Sequence, residues 1–501
     1  MPLINKANVV SQLQTTLSGA TVATEDTTRL LALLKTAKNA GLYSANVETE
    51  LLTRIGLVST SNTVTEIALR AKAADLVHFD RQLSTANLTT LNAFSANVGT
   101  IVYVDSEGVP YIRKNNNTWS FVDAIISTQL KNAWGWGTNS SGPIGDNTTT
   151  TRLSPVSVVG GFTDWIELSA GTQHSLGIRA NGTLWGWGRN VTGNVGDGTT
   201  SNRSSPVSVI GGFTDWISVS AGRGQGTSSH SLGLRANGTL WGWGSNGLGR
   251  IGDGTTSNRS SPVSVIGGFT DWKSMSAGNN HSLAIRGNGI LYAWGGNTYG
   301  QLGDGTTSNR SSPVSVVGGF TDWTFISAGS NISIFNQSAS AGIRSNGTLW
   351  AWGYNQVYGA LGDGTLTDRS SPVSVVGGFA DWVTVSMGSY HCTAVRANGT
   401  AWCWGYGGSG QLGNNGITNT SSPVSVVGGF TDWVFTSAGK DTSVGLRANG
   451  TLWGWGINNF GQIGDNTAAI SRRSPVSVVG GFTDWISVST TELFTLGLRG
   501  G

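Results

Sequence analysis

Four histidines, His174, His230, His281 and His391, fall at the same point of a recurring sequence. Imidazoles at a fixed interval could ligate a metal, but a metal centre needs several ligands converging on one point. These four lie a whole repeat apart, and the equivalent positions hold Ala339, Thr442 and Phe494, so no shared centre is expected. His78 stands alone in a helical segment. The GDGTT stretches, Asp197 and its equivalents, suggest calcium. They lack the alternating carboxylates of a calcium loop and read instead as turns. Cys392 and Cys403 replace Ser and Gly of other repeats, on two strands joined by Asn398-Gly399. A regular hairpin makes them diagonal neighbours on one face, which favours small-residue packing over a disulfide. No phosphate loop, paired carboxylate, Ser–His–Asp or Cys–His set stands out. The expectation is a protein that is no enzyme and holds no cofactor and no metal.

The repeat positions these residues. SPVSVVGGFTDW (154–165) returns with small changes from Ser205, Ser261, Ser312, Ser371, Ser422 and Ser474. A second phrase, TLWGWG, follows the first six copies and, as NAWGWG, precedes the first. Repeats at this period build solenoids, propellers or arrays. Each unit reads as four short strands: Pro155 onward, Trp165 onward, His174 onward, then Thr183 to Gly188 after the hairpin signal Asn181-Gly182, whose two residues are expected at positive φ. Four antiparallel strands repeated radially make a β-propeller. In LWGWG the side chains alternate between faces. Trp185 and Trp187 share the bulky face, opposite nearly bare backbone, so one blade's tryptophans can seat against its neighbour's glycines. The last unit stops at Gly501 without its TLWGWG strand. The strand at 132–137, with Trp134 and Trp136, is expected to close the ring beside Leu496. Seven blades result.

Asp146, Asp197, Asp253, Asp304 and Asp363 each precede an arginine by six residues, as Asp197 precedes Arg203; Asp465 and Arg472 match with one insertion. In the remaining unit both change, to Asn414 and Thr420. Joint loss points to an Asp–Arg pair inside the blade, since one partner left alone is costly.

Composition narrows the function. Charged residues make up 11% of the 501 and the net charge is +3, which gives no electrostatic footprint for nucleic acid. The start of the chain lacks a signal-peptide core and no apolar run is long enough to span a bilayer, so no membrane insertion is expected. Two cysteines point away from a disulfide framework and towards a reducing compartment.

The first 130 residues carry no repeat. Apolar spacing predicts helices at 5–17, 25–39, 47–55 and 63–76, and 1–95 reads as a helical anchoring region. From Gly99 the period changes to two, predicting a three-stranded β-meander within 96–130. The propeller takes 131–501. The fold class is therefore mainly β: a seven-bladed propeller closed by an N-terminal strand, after a small helical region and a meander.

The segment AGNNHSLAIR…GILYAWGGNTYGQLGDGT (277–306) resembles the regulator of chromosome condensation repeat, a seven-bladed propeller family. The resemblance spans 132–501. It implies binding of a protein on a propeller face, as in nucleotide exchange on a nuclear GTPase or inhibition of β-lactamases; neither role maps onto particular residues here. VGTIVYVDSEGVPYIRKNNNTWSFVD ahead of near-identical units resembles virion structural proteins of tailed phages, especially those of marine cyanobacteria. That likeness implies a tail fibre, capsid fibre or head decoration, localised to a virion assembled in the host cytoplasm. Its partners would be other virion proteins through 1–130, a second copy through the N-terminal helices, and a host surface protein or glycan through the propeller.

Loop length selects the binding face. The second unit inserts residues around Arg223 to Ser229 and the fourth around Ser330 to Ser338, with single insertions near Tyr358 and Ile470. In an up-and-down blade these loops share one face, while the GGFTD and Asn-Gly connections keep constant length on the other. Variable loops on a rigid scaffold are a usual seat of recognition. The candidates are Arg223, Gln225, Ser229, Asn331, Ile332, Phe335, Asn336 and Tyr358.

Overall fold

The computed structural model describes residues 101–103, 110–113, 119–121, 131–224, 226–330 and 337–500. The four helices expected before residue 96, His78, and the candidates Gln225, Asn331, Ile332, Phe335 and Asn336 lie outside the described residues. The chain divides into two compact units, Met1–Gln129 and Leu130–Gly501.

In the first unit, β1 (Ile101–Tyr103), β2 (Pro110–Arg113) and β3 (Trp119–Phe121) pair antiparallel in that order, with Val102 opposite Tyr111 and Ile112 opposite Ser120. The period-two alternation of the sequence is thus a meander.

The second unit is a propeller of seven four-stranded sheets. Its first strands are β4 (Lys131–Gly137) and β5 (Arg152–Ser157). Blade one follows as β6 (Trp165–Ala170), β7 (His174–Arg179), β8 (Leu184–Gly188) and β9 (Arg203–Ser208). Strands β10 (Trp216–Ala221) to β29 (Arg472–Ser477) repeat this pattern in blades two to six. Blade seven joins β30 (Trp485–Thr490) and β31 (Phe494–Gly500) to β4 and β5.

The blade frame differs by one strand from the sequence reading. The SPVS strand is the outermost of the preceding blade, not the first of its own: Gly186 in β8 faces Val207 in β9. Its proline sits on an edge strand, where a missing N–H costs least. Two N-terminal strands therefore enter the closing blade, and the expected one of them, β4, pairs with β31 from Phe494↔Gly137 to Gly500↔Lys131, with Gly135 opposite Leu496.

The Asn-Gly turns also differ from expectation. Gly182 has φ +72°, but Asn181 is not among the residues at positive φ. Gly182 N–H donates to the Arg179 carbonyl and Arg179 N–H to the Thr183 carbonyl, the three-residue loop in which glycine alone takes the left-handed region. The Asn181 side chain caps the turn by accepting from Thr183 N–H at 3.1 Å.

Three sets of contacts bind blade to blade. Trp187 is fully buried and donates its indole N–H to the Pro143 carbonyl of the preceding blade at 2.9 Å. The glycine that receives it is Gly145 of that blade's loop, where a β-carbon would fall 2.7 Å from Nε1, rather than a glycine of the LWGWG strand. Trp185, by contrast, is half-buried against Phe162 at 4.7 Å. Second, the innermost strands are stitched through serine hydroxyls: Ala221 N–H donates to Ser169 Oγ, Ala277 to Ser220, Ala328 to Ser276, Met387 to Ser327, Ala438 to Ser386, Thr490 to Ser437 and Ala170 to Ser489. The last bond returns to the first blade, so the ring is closed. Third, His174 Nε2 meets Ser231 Oγ of the next blade at 3.0 Å, and His230, His281 and His391 repeat the contact with Ser282, Ser340 and Ser443. The four histidines are inter-blade fasteners. Burial holds His174 and His281 down to about 3 and His391 to about 4, so all three are neutral near pH 7.

Candidate protein-binding face

Within each blade the loops from first to second strand and from third to fourth strand emerge on one face, because the strands alternate in direction. The described parts of both length-varying segments, 222–224 with 226–229 and 329–330 with 337–338, belong to first-to-second loops of this face. The third-to-fourth loops are built around their own polar core. Arg203 pairs with Asp197 at 2.6 Å, and Asp197 also accepts from Asn190 and Thr199. Burial pushes Asp197 up, but the hydrogen bonds from Thr199, Arg203 and Asn190 outweigh it and hold the carboxyl below its usual range. The same Asp–Arg pair recurs at Asp146, Asp253, Asp304, Asp363 and Asp465. Where the pair is lost, Asn414 Oδ1 instead accepts from Gly416 N–H. Such loops are rigid supports for whatever side chains they carry.

The opposite face is bound by a second pair that the sequence reading missed. Arg179 donates to Asp164 at 2.8 Å and lies over Phe162 at 4.2 Å. The ion pair recurs in every blade, through to Arg499 and Asp484. The signal was present: an Asp directly before each blade's first tryptophan and an Arg at or next to the end of each second strand occur in all seven units.

Two candidates face inward rather than outward. Arg223, leaving β10 in blade two, donates Nη1 to the Ala438 carbonyl at 2.8 Å and to the Met387 carbonyl at 3.3 Å. Those carbonyls end the innermost strands of blades six and five, so the guanidinium reaches across the ring from blade two. Burial lowers it to about 10, and among the described residues no carboxylate pairs with it. Ser229 is 3% exposed, donates to the Gly222 carbonyl and meets His174 Nδ1 at 3.2 Å. The five-residue insertion thus ties its own base to the neighbouring blade, and Ser229 is withdrawn from any partner.

Tyr358 is placed on the face, in company the sequence reading did not foresee. Its ring centroid lies 5.1 Å from Tyr390 and 4.7 Å from Tyr406. Tyr299 and Tyr354 form a second pair at 5.0 Å. Tyr354, Tyr358 and Tyr390 line one shallow cleft with Gln337, Asn355 and Ser389. Beside Tyr358, Val357 is 51% exposed. The signal lay in equivalent positions: where Tyr390 and Tyr406 stand in blade five, blade two has Ser229 and Ser245.

Among the described residues no three His, Cys, Asp or Glu side chains cluster as metal ligands, and no helix is long and apolar enough to cross a membrane. Cys392 and Cys403 are buried free thiols. Cys392 faces Trp404 and Cys403 faces Thr393, so the two lie on opposite faces of the sheet and in different cores, not diagonally on one face as expected, because successive strand residues alternate.

The repeat pattern described as "Regulator of chromosome condensation (RCC1) repeat" matches residues 165–194, 216–250, 272–301, 382–411 and 433–462 in one form, and 181–227, 237–285, 288–335 and 346–395 in another. This chain belongs to the RCC1 repeat family. Among curated relatives, the ultraviolet-B receptor UVR8 of Arabidopsis thaliana is 30% identical over 317 residues, 62% of this chain and 69% of that protein. The E3 ubiquitin-protein ligase HERC2 of Homo sapiens is 26% identical over 390 residues, 75% of this chain but 8% of its own length. Two solved structures share the fold. Human WBSCR16 superposes with a TM-score of 0.64 at 19% identity, over 74% of this chain and 99% of that one. Yeast RCC1 (Prp20), solved bound to Kap60, also gives 0.64, at 17% identity over 74% and 89%. The RCC1 family accounts for the blades; the tyrosine cleft is a feature of particular loops upon them.

Proposed function

We propose that the chain acts by binding another protein on the variable-loop face and performs no chemistry of its own. One observation carries this reading. Seven units are nearly identical in their strands, while insertions and aromatic substitutions are gathered in loops of a single face. A scaffold locked by serine, histidine and tryptophan contacts keeps those loops in fixed relation, which lowers the ordering cost of binding. A structural relative lends support: Prp20p from Saccharomyces cerevisiae binds Gsp1p and histones. Cross-linking mass spectrometry of the chain with its native partner tests the reading. Cross-links should fall in loops 222–229, 329–338 and 354–368; a footprint confined to the GGFTD connections would refute it.

A finer assignment is that this binding serves a virion, with residues 1–130 joining other particle proteins, the propeller displayed outward, and assembly in the host cytoplasm. It is supported by the phage-like sequence of 98–123, whose meander precedes the propeller. The competing assignment is a soluble inhibitor or exchange factor. Mass spectrometry of purified particles separates them: peptides of this chain at a fixed ratio to the capsid protein support the first, and their absence from particles leaves the second.

A further inference from the structure

The tyrosines of the variable-loop face are not spread round the ring. Five of the nine in the chain, Tyr299, Tyr354, Tyr358, Tyr390 and Tyr406, form one band over blades three to five, joined by the ring contacts given above and by the cleft between Tyr354 and Tyr358. Carboxylates border it. Asp368 acts on Tyr354, Asp441 acts on Tyr358 and Tyr390, and Glu492 acts on Tyr390. The ammonium beside them, Lys440, is engaged with Glu492 at 3.0 Å. Asp441 accepts from Gln411 Nε2 at 3.2 Å and makes no ion pair among the described residues. The band is therefore acidic on a chain whose net charge is positive. Of the arginines on this face, Arg189 and Arg250, in blades one and two, donate to backbone carbonyls, Arg310, Arg369 and Arg472 are paired with Asp304, Asp363 and Asp465, Arg473 lies at Gly410, and the Arg223 guanidinium is engaged by carbonyls of blades five and six.

We infer that the tyrosine band is the docking site for a partner protein's basic segment, with a Lys or Arg side chain seated at Asp441 and its stem lying along Tyr358 and Tyr390. The inference rests on the reading of this face as a protein-binding face and names the chemistry of the partner. Tyrosine gives rigid, amphipathic contact area at low entropic cost. A cation meets both the ring faces and a carboxylate already held in place. Exposed Val357 at the edge of the band favours a protein over a glycan, since an aliphatic rim offers sugar hydroxyls nothing. Burial first, opposed by Lys440 and reinforced by Glu492, holds Asp441 up to about 6; an arriving cation relieves that cost.

The full-length chain can be titrated with three labelled peptides of equal length, rich in Arg and Lys, in Ser and Gly, and in Glu, and applied to an oligosaccharide array. The basic peptide should bind and the other two should not. Asp441→Asn, which keeps the Gln411 contact and the shape, should weaken binding about tenfold, as should Tyr358→Ser with Tyr390→Ser. Ser201→Ala with Thr256→Ala, on blades one and two, should leave it unchanged, and melting curves confirm that each variant is folded. Equal binding of all three peptides, indifference to Asp441→Asn, or Tyr390-dependent glycan binding overturns the inference. A native partner whose footprint falls on blades one and two of the same face would also overturn it while leaving the protein-binding reading intact.

Discussion

The indole of Trp136 lies against Gly464. A β-carbon on Gly464 would fall 2.7 Å from Trp136 Nε1, and that N–H donates to the Gln462 carbonyl at 3.0 Å. Residues more than three hundred positions apart thus form the same tryptophan-on-glycine contact that joins the other neighbouring blades.

Gly464→Ala should therefore be costly. Its φ is +79°, and the indole is held on all sides. Left-handed strain of about 1–2 kcal/mol adds to overpacking of about 1–3 kcal/mol. Gly161, at φ +68° with nothing within 4 Å, isolates the first effect, and Gly161→Ala should cost only about 1–2 kcal/mol. Denaturant unfolding of the two variants checks the difference.

Removing residues 1–130 should leave the propeller's melting temperature nearly unchanged, because β4 and β5 remain. Removing 1–157 takes both strands out of blade seven and strips Leu496 and Leu498 of their partners. That chain should melt far lower or fail to fold, as circular dichroism with heating would reveal.

Asp197 and Arg203 should behave as a coupled pair. Asp197→Asn alone leaves a partly buried guanidinium without its carboxylate. The double change Asp197→Asn with Arg203→Thr copies what the fifth blade carries naturally at Asn414 and Thr420. A double-mutant cycle should give a coupling of about 1–2 kcal/mol, with the double variant no less stable than the single.

Two pH dependences of opposite sign are expected. The buried histidines have folded values below the ordinary 6.5. Their stabilisation is present above that value and is lost as pH falls towards 3 to 4, with proton uptake on unfolding. Glu167 is the reverse: burial raises it from 4.5 to about 7, against hydrogen bonds from Val219 and Ser218. Its contribution is full below pH 4.5 and is lost as pH rises through 7. Glu167→Gln should gain about 2–3 kcal/mol relative to the parent at pH 8, and the gain should shrink towards zero at pH 4.5. Urea titrations at the two pH values measure it.

Much of the fold was legible because each strand's residues repeat and the chain's two ends complement each other. The blade frame was not. The short GGFTD link looks like a hairpin but carries the chain to the next blade. The long GDGTT loop does close a hairpin, because Asn190, Asp197 and Arg203 fill its interior. The stitching serines were visible as the fifth residue of each first strand, counted from its tryptophan, yet a serine in a strand carries no directional signal. The tyrosine band was hidden for another reason. Its members come from loops of three blades, and nothing in linear order says that Tyr358 meets Tyr390.

The pairing of β4 with β31 also sets an order of events during synthesis. Trp136 is among the first propeller residues to leave the ribosome and its last strand partner among the final ones. Until residues 494–500 have left the ribosome, that indole has no finished blade to enter, so the nascent propeller carries an open seam while all the blades between are made.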